Sequence, residues 1–172
     1  MRKFAGDPPV EERVGEALRA AGATVATVES CTGGLVGSLI TDVPGSSDYF
    51  DRSTVTYTYD AKLEVGVSRE SLDEHGAVSE PVVRQMAQLA RDRAGTTWGV
   101  ATTGIAGPSG GSPGKPVGTV YLAVSYAGEW GTQESDTVTR HREFDGGRLE
   151  IKERIARAAL ELLEDELDDQ YE

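Results

Sequence analysis

One junction constrains the fold more than any other part of the chain. The apolar alternation of Thr24–Val28 reads as a strand and Leu35–Ile40 begins a helix-like run; between them stands Glu29-Ser30-Cys31-Thr32-Gly33-Gly34. Two adjacent glycines let a backbone turn sharply and approach a ligand. The unpaired N–H groups opening the next helix attract anions. A β-to-α connection of this kind, with a hydroxyl and a thiol set into it, belongs to an α/β layer structure, where sites gather beyond the carboxyl ends of the strands.

The flanking sequence fits the same architecture. Val10, Val14, Ala17, Leu18 and Ala21 recur at helical spacing before Gly22. Ser53–Tyr59 and Trp98–Thr103 read as further strands, and Val117–Tyr126 and Thr132–Phe144 as a hairpin around Gly128–Gly131. Ser79-Glu80-Pro81 opens a helix with Val82, Val83, Met86, Leu89 and Ala90 on its inner face. A long helix is expected from about Arg148, with Ile151, Ile155, Ala158, Ala159, Leu162 and Leu163 along one side. The expectation is a single-domain three-layer α/β/α sandwich with a mixed, mostly parallel sheet over residues 9–164. Residues 1–8 are expected to be a flexible lead-in and 165–172 a solvated acidic tail.

Charge narrows the partners. The 172 residues carry a formal net charge of -12, and a field of that sign repels polyanions, so no nucleic-acid partner is expected. Only Lys3, Lys62, Lys115 and Lys152 are lysines. An acidic, lysine-poor surface is expected of a protein adapted to high salt, in which case its unfolding midpoint moves with potassium chloride concentration. No apolar run is long enough to cross a membrane, no apolar secretory leader is visible, and the lone Cys31 cannot form an internal disulfide. A reducing cytoplasm is the expected location.

Four polar clusters fall at strand ends or in the loops after them: Glu29–Gly34, Pro44–Ser47, Tyr57–Lys62 and Thr103–Gly111. Ser30 needs a base to act as a nucleophile. His75 reads as a helix C-terminal cation and His141 as a strand surface residue, and no Gly-x-Ser-x-Gly elbow occurs. Lys62 is the better partner, a scarce lysine just after a strand that serves as a base if burial lowers its pKa. Tyr57 is placed to relay a proton or orient that lysine. Residue types alone favour the plainer reading, in which Ser30 and Thr32 cap a helix and Lys62 is a surface residue, and Cys31 competes as a nucleophile. The loop from Thr103 to Gly111 matches neither a Walker nor a dinucleotide fingerprint. Arg148, after Gly146-Gly147, is placed to meet an anion. There is no Cys pair and no His-x-x-x-His, so no metal site and no cofactor are expected.

Taken together, Glu29–Gly34, Pro44-Gly45-Ser46-Ser47, Val55-Thr56-Tyr57, Ala61-Lys62, His75–Ser79, Gly104–Pro108 and Lys115–Val120 resemble the C-terminal domain of the CinA (competence/damage-inducible) family. Stand-alone members of that family are nicotinamide mononucleotide (NMN) deamidases. The resemblance implies hydrolysis of the NMN carboxamide to nicotinic acid mononucleotide and ammonia, without a metal. By position it implies Ser30 as nucleophile, Lys62 as its base and Tyr57 as a supporting proton-relay group. Thr32, Gly33, Gly34, Ser46, Ser47, Thr103 and Gly104 would hold the amide and phosphoribosyl parts, with Arg148 on the phosphate. Related domains commonly form homodimers, so a homodimer is expected. The larger members add a molybdopterin-binding-type domain with nucleotide pyrophosphatase activity, and that activity is not expected of these 172 residues. Two departures stand out: Tyr57-Thr58-Tyr59-Asp60 replaces the family's usual Tyr-Ser-Asn, and Thr103 stands where a serine is frequent. Tyr59 keeps open a non-catalytic pyridine-nucleotide-binding protein, and an amidase for another small anionic amide is a further alternative.

Overall fold

A computed structural model describes residues 2–171. The strands β1 (Val25–Glu29), β2 (Phe50–Val55), β3 (Trp98–Gly104), β4 (Thr119–Tyr126) and β5 (Asp136–Glu143) form one sheet in the order β2-β1-β3-β4-β5. β1 pairs in parallel with both β2 and β3, whereas β3–β4 and β4–β5 are antiparallel. Strand order therefore reverses about β1, and the crevice that this opens beyond its carboxyl end is where the Ser30 turn emerges.

Helices cover both faces because the strands alternate. Val25, Trp98, Val100, Val120, Leu122 and Val124 point towards α1 (Val10–Ala21), α2 (Leu35–Thr41) and α6 (Arg148–Tyr171) in one buried cluster. Val28, Ala101 and Ala123 point to the other side, under α4 (Arg69–His75) and α5 (Glu80–Ala94). On that side the strand residues are small, and α5 sits close. A Cβ added at Gly99 would lie 2.1 Å from the Ala87 carbonyl oxygen. The remaining helix, α3 (Tyr59–Val65), follows β2 and is capped by the Thr58 hydroxyl, which accepts from the Ala61 amide. Among the described residues no helix is long and apolar enough to cross a membrane.

Four expectations shift. The second strand runs over Phe50–Val55, not Ser53–Tyr59, because the Thr58 cap starts α3 at Tyr59. The final strand starts at Asp136, not Thr132, because Gly131 and Gln133 both take left-handed backbone conformations and keep 127–135 as a loop. Residues 165–171, read as an acidic tail, continue α6, and Leu167 is buried in the core. The lead-in is pinned as well. The Lys3 and Phe4 amides each donate to the Glu153 carboxylate at 2.9 Å, within a buried Glu11–Arg157–Glu153 group. Met1 and Glu172 lie outside the described residues.

Candidate active site

The turn after β1 is held from both sides. The Ser30 amide donates to the Thr102 carbonyl on β3 at 3.0 Å, and the Thr56 amide, just past β2, donates to the Glu29 carbonyl at 2.7 Å. Glu29 is fully buried and fixes the rest of the turn through its carboxylate. That group accepts from the amides of Gly34, Val36 and Gly37 at 2.9–3.0 Å, and from the Thr32 and Ser53 hydroxyls at 2.6 and 2.9 Å. The orphan N–H groups at the start of α2 thus have a carboxylate partner, which compensates both their hydrogen-bonding need and the helix dipole. Ser30 is left at the crest.

Lys62 meets it there. Its side chain is 1% exposed, and Nζ donates to Ser30 Oγ at 2.9 Å, to the Thr56 carbonyl at 2.7 Å and to the Tyr57 carbonyl at 3.4 Å. Burial lowers its pKa from 10.5 to about 8, since removing an ammonium from water penalises the charged form. A neutral amine in this position keeps two N–H groups for the two carbonyls and turns its lone pair to the serine hydroxyl. Cys31, next to Ser30, behaves oppositely: burial pushes its thiol up to about 12, so it stays protonated and unreactive.

Ser30 and Lys62 lie in a cleft of about 250 Å³ whose walls come from three of the four polar clusters. Tyr57 and Tyr59 form one side; Thr103, Gly104, Gly107 and Gly110 form another, and Arg148 closes the mouth. The Thr103 hydroxyl donates to the Ala77 carbonyl at 2.8 Å, and Lys115 Nζ donates to the Val78 and His75 carbonyls at 2.7 and 3.1 Å. These bonds fasten the connection between α4 and α5 to the glycine-rich loop.

The family model for the CinA C-terminal domain matches residues 7–167. The chain belongs to the CinA C-terminal domain family. It is 47% identical to the nicotinamide-nucleotide amidohydrolase PncC of Escherichia coli strain K12, over 90% of each chain. It is 51% identical to a CinA-like protein of Salinibacter ruber over 91% of its own length, but spans only 36% of that relative. Among solved structures, the competence/damage inducible protein CihA of Agrobacterium tumefaciens superposes with a TM-score of 0.86 at 42% identity, covering 98% of this chain and 99% of that one.

Within this CinA domain several expected contacts are relocated. Ser46 and Ser47 stand in the turn Ser46–Asp48 that precedes β2, at the amino ends of the strands. A six-residue strand separates them from the Ser30 end, roughly 20 Å at about 3.3 Å per residue, so in one chain they do not join the cleft. Thr32 is fully buried and faces inward, bonded to Glu29 and to the Thr102 hydroxyl, so it supports the turn and does not line the cleft. Gly33 and Gly34 take left-handed conformations that make the turn possible, and neither lines the cleft. The Tyr57 hydroxyl accepts from Arg148 Nη2 at 2.7 Å; its carbonyl, not its phenol, meets Lys62. Arg148 also donates to the Gly107 carbonyl, which makes it a clamp across the cleft mouth. His75 ends α4, and His141 lies on β5 against the Tyr121 ring.

Three residues were not singled out by sequence. Glu29 carries the turn, and Lys115 braces the wall. Lys152, one helical turn after Arg148, places Nζ 3.6 Å from where a Gly33 Cβ would stand. Among the described residues Lys152 is assigned no ion pair or side-chain hydrogen bond. Lysine scarcity was the available signal for the last two.

Proposed function

We propose that the protein hydrolyses the carboxamide of NMN, releasing ammonia and nicotinic acid mononucleotide in pyridine nucleotide salvage. The observation that carries the reading is the buried contact of Lys62 Nζ with Ser30 Oγ at 2.9 Å, at the floor of an open cleft. The E. coli relative named nicotinamide-nucleotide amidohydrolase supports the substrate. Neutral Lys62 takes the hydroxyl proton as Ser30 Oγ bonds to the amide carbon, forming a tetrahedral oxyanion. Among the described residues the Cys31 amide, next after the nucleophile, has no backbone-carbonyl partner, and it is the candidate donor to that oxyanion. The protonated Lys62 then passes its proton to the nitrogen as the C–N bond breaks and ammonia leaves. Water, deprotonated by Lys62, attacks the Ser30 ester; the ester C–O bond breaks, Oγ regains a proton, and the carboxylate departs.

Arg148 supplies positive charge at the cleft mouth for the phosphate, with Lys152 one helical turn on, beside Gly33. Tyr57 orients Arg148 through its hydroxyl and leaves the proton transfer to Lys62. The same reading takes the protein to be a cytoplasmic homodimer, with exposed Trp130 as a candidate contact; sedimentation of the wild type against Trp130→Ser checks it. For activity, the test is ammonia release from NMN. Ser30→Ala and Lys62→Ala are each expected to lower kcat at least a thousandfold while still binding NMN. Undiminished release by Ser30→Ala would overturn the mechanism.

A further inference from the structure

The chain carries 29 aspartate and glutamate residues, yet among the described residues none lines the cleft. The ionisable cations there are Lys62 and Arg148. A nicotinamide ring attached to ribose is a pyridinium, and this cleft presents it with no carboxylate to offset its charge. What the cleft does present is aromatic surface. Tyr59 is 52% exposed and Tyr57 56% exposed, both on the wall beside Ser30 and Lys62.

The two rings are not equivalent. The Tyr57 hydroxyl accepts from a guanidinium, which draws electron density out of the ring and weakens its face. Among the described residues the Tyr59 hydroxyl accepts only from the Ala77 amide at 3.3 Å, and the Ala77 carbonyl is itself held by the Thr103 hydroxyl. Tyr59 opens α3 three residues before Lys62, so the two side chains share one side of that helix. Its tip is tethered and its ring faces stay electron-rich and open.

We propose that Tyr59 is a specificity residue that reads the charge of the substrate ring, seating a cationic pyridinium by a cation–π contact and discriminating against the neutral dihydropyridine form of the same nucleotide. The inference rests on the deamidase reading only for the identity of the ring. Oxidised and reduced NMN share the carboxamide, ribose and phosphate, so a difference in binding between them isolates the ring.

The test measures dissociation constants for oxidised and reduced NMN on Ser30→Ala protein, where no turnover intervenes. Preference for the oxidised form is expected to be about threefold to thirtyfold, the range of exposed to desolvated cation–π pairs. Adding Tyr59→Leu is expected to abolish the preference, Tyr59→Phe to keep it, and Tyr59→Trp to keep or raise it. Thermal unfolding accompanies each variant, and the Phe and Trp proteins decide the matter even if the Leu protein does not fold. Full preference in Tyr59→Leu, loss of it in Tyr59→Phe, or none in the parent would each overturn the proposal. Failure of the deamidase reading shows separately, as absence of ammonia from NMN with Ser30 intact.

Discussion

Lys62 sets a pH dependence that can be worked out from its surroundings. The perturbation is pH itself, read through ammonia release from NMN as kcat. Only the neutral amine can take the Ser30 proton, so activity follows the deprotonated fraction. With burial holding Lys62 at about 8, about one-tenth of the enzyme is competent at pH 7 and about nine-tenths at pH 9. At its ordinary 10.5 the competent fraction at pH 7 would be smaller by about 300-fold, so the burial does the activating. We expect kcat to rise about tenfold per unit below pH 7 and to level off near pH 9. The substrate phosphate titrates near about 6, clear of the midpoint. The same group must leave a trace in stability. Its folded pKa lies below its unfolded one, so the cost of the buried charge is fully present below about pH 8 and is relieved as pH rises from there to 10.5. That cost is about 3 kcal/mol by linkage. Stability of wild type relative to Lys62→Met should therefore climb across this window, whatever the other groups do. A flat rate profile between pH 7 and 9, or a midpoint at 10 or above, would refute Lys62 as the base.

Other substitutions separate the parts of the site from the frame that holds it. Cys31→Ala should keep at least half the wild-type kcat and cost about 1 kcal/mol in urea unfolding, because the buried thiol packs without reacting. Glu29→Gln turns an NH2 group towards amides that need an acceptor; a loss of about 2–4 kcal/mol and a fall in kcat well beyond tenfold are expected from chemical denaturation and ammonia assays. Gly99→Ala forces a methyl into the Ala87 carbonyl where α5 crosses β3, and should cost about 3 kcal/mol with kcat little changed in the folded fraction.

How much of this was legible from sequence depended on the range over which each residue acts. The strand-turn-helix at Ser30 and the stripe of α6 are local periodicities, and both appear where the pattern puts them. Pairing Ser30 with Lys62 was reachable by elimination among few candidates. Their contact, however, spans 32 positions and depends on β2 lying beside β1 in parallel, which local pattern does not encode. Ser46 and Ser47 show the converse error. As polar residues in a loop they looked like Ser30, but a parallel strand has two ends, and theirs is the wrong one for the cleft. Thr32 sits at the expected turn, but its hydroxyl is spent on Glu29 and Thr102 inside the protein; Arg148 sits at the expected helix start, where its contacts with Tyr57 and Gly107 hold it at the cleft. Glu29 is the sharpest case. A carboxylate in a strand normally signals a solvent-facing position, yet six donors, from Thr27, Thr32, Ser53, Gly34 and the start of α2, converge on this one. Those donors exist only because the glycine turn folds the start of α2 back over the end of β1. Ser30 is thus positioned by a residue one place before it, whose role becomes visible only when the helix it caps is in place.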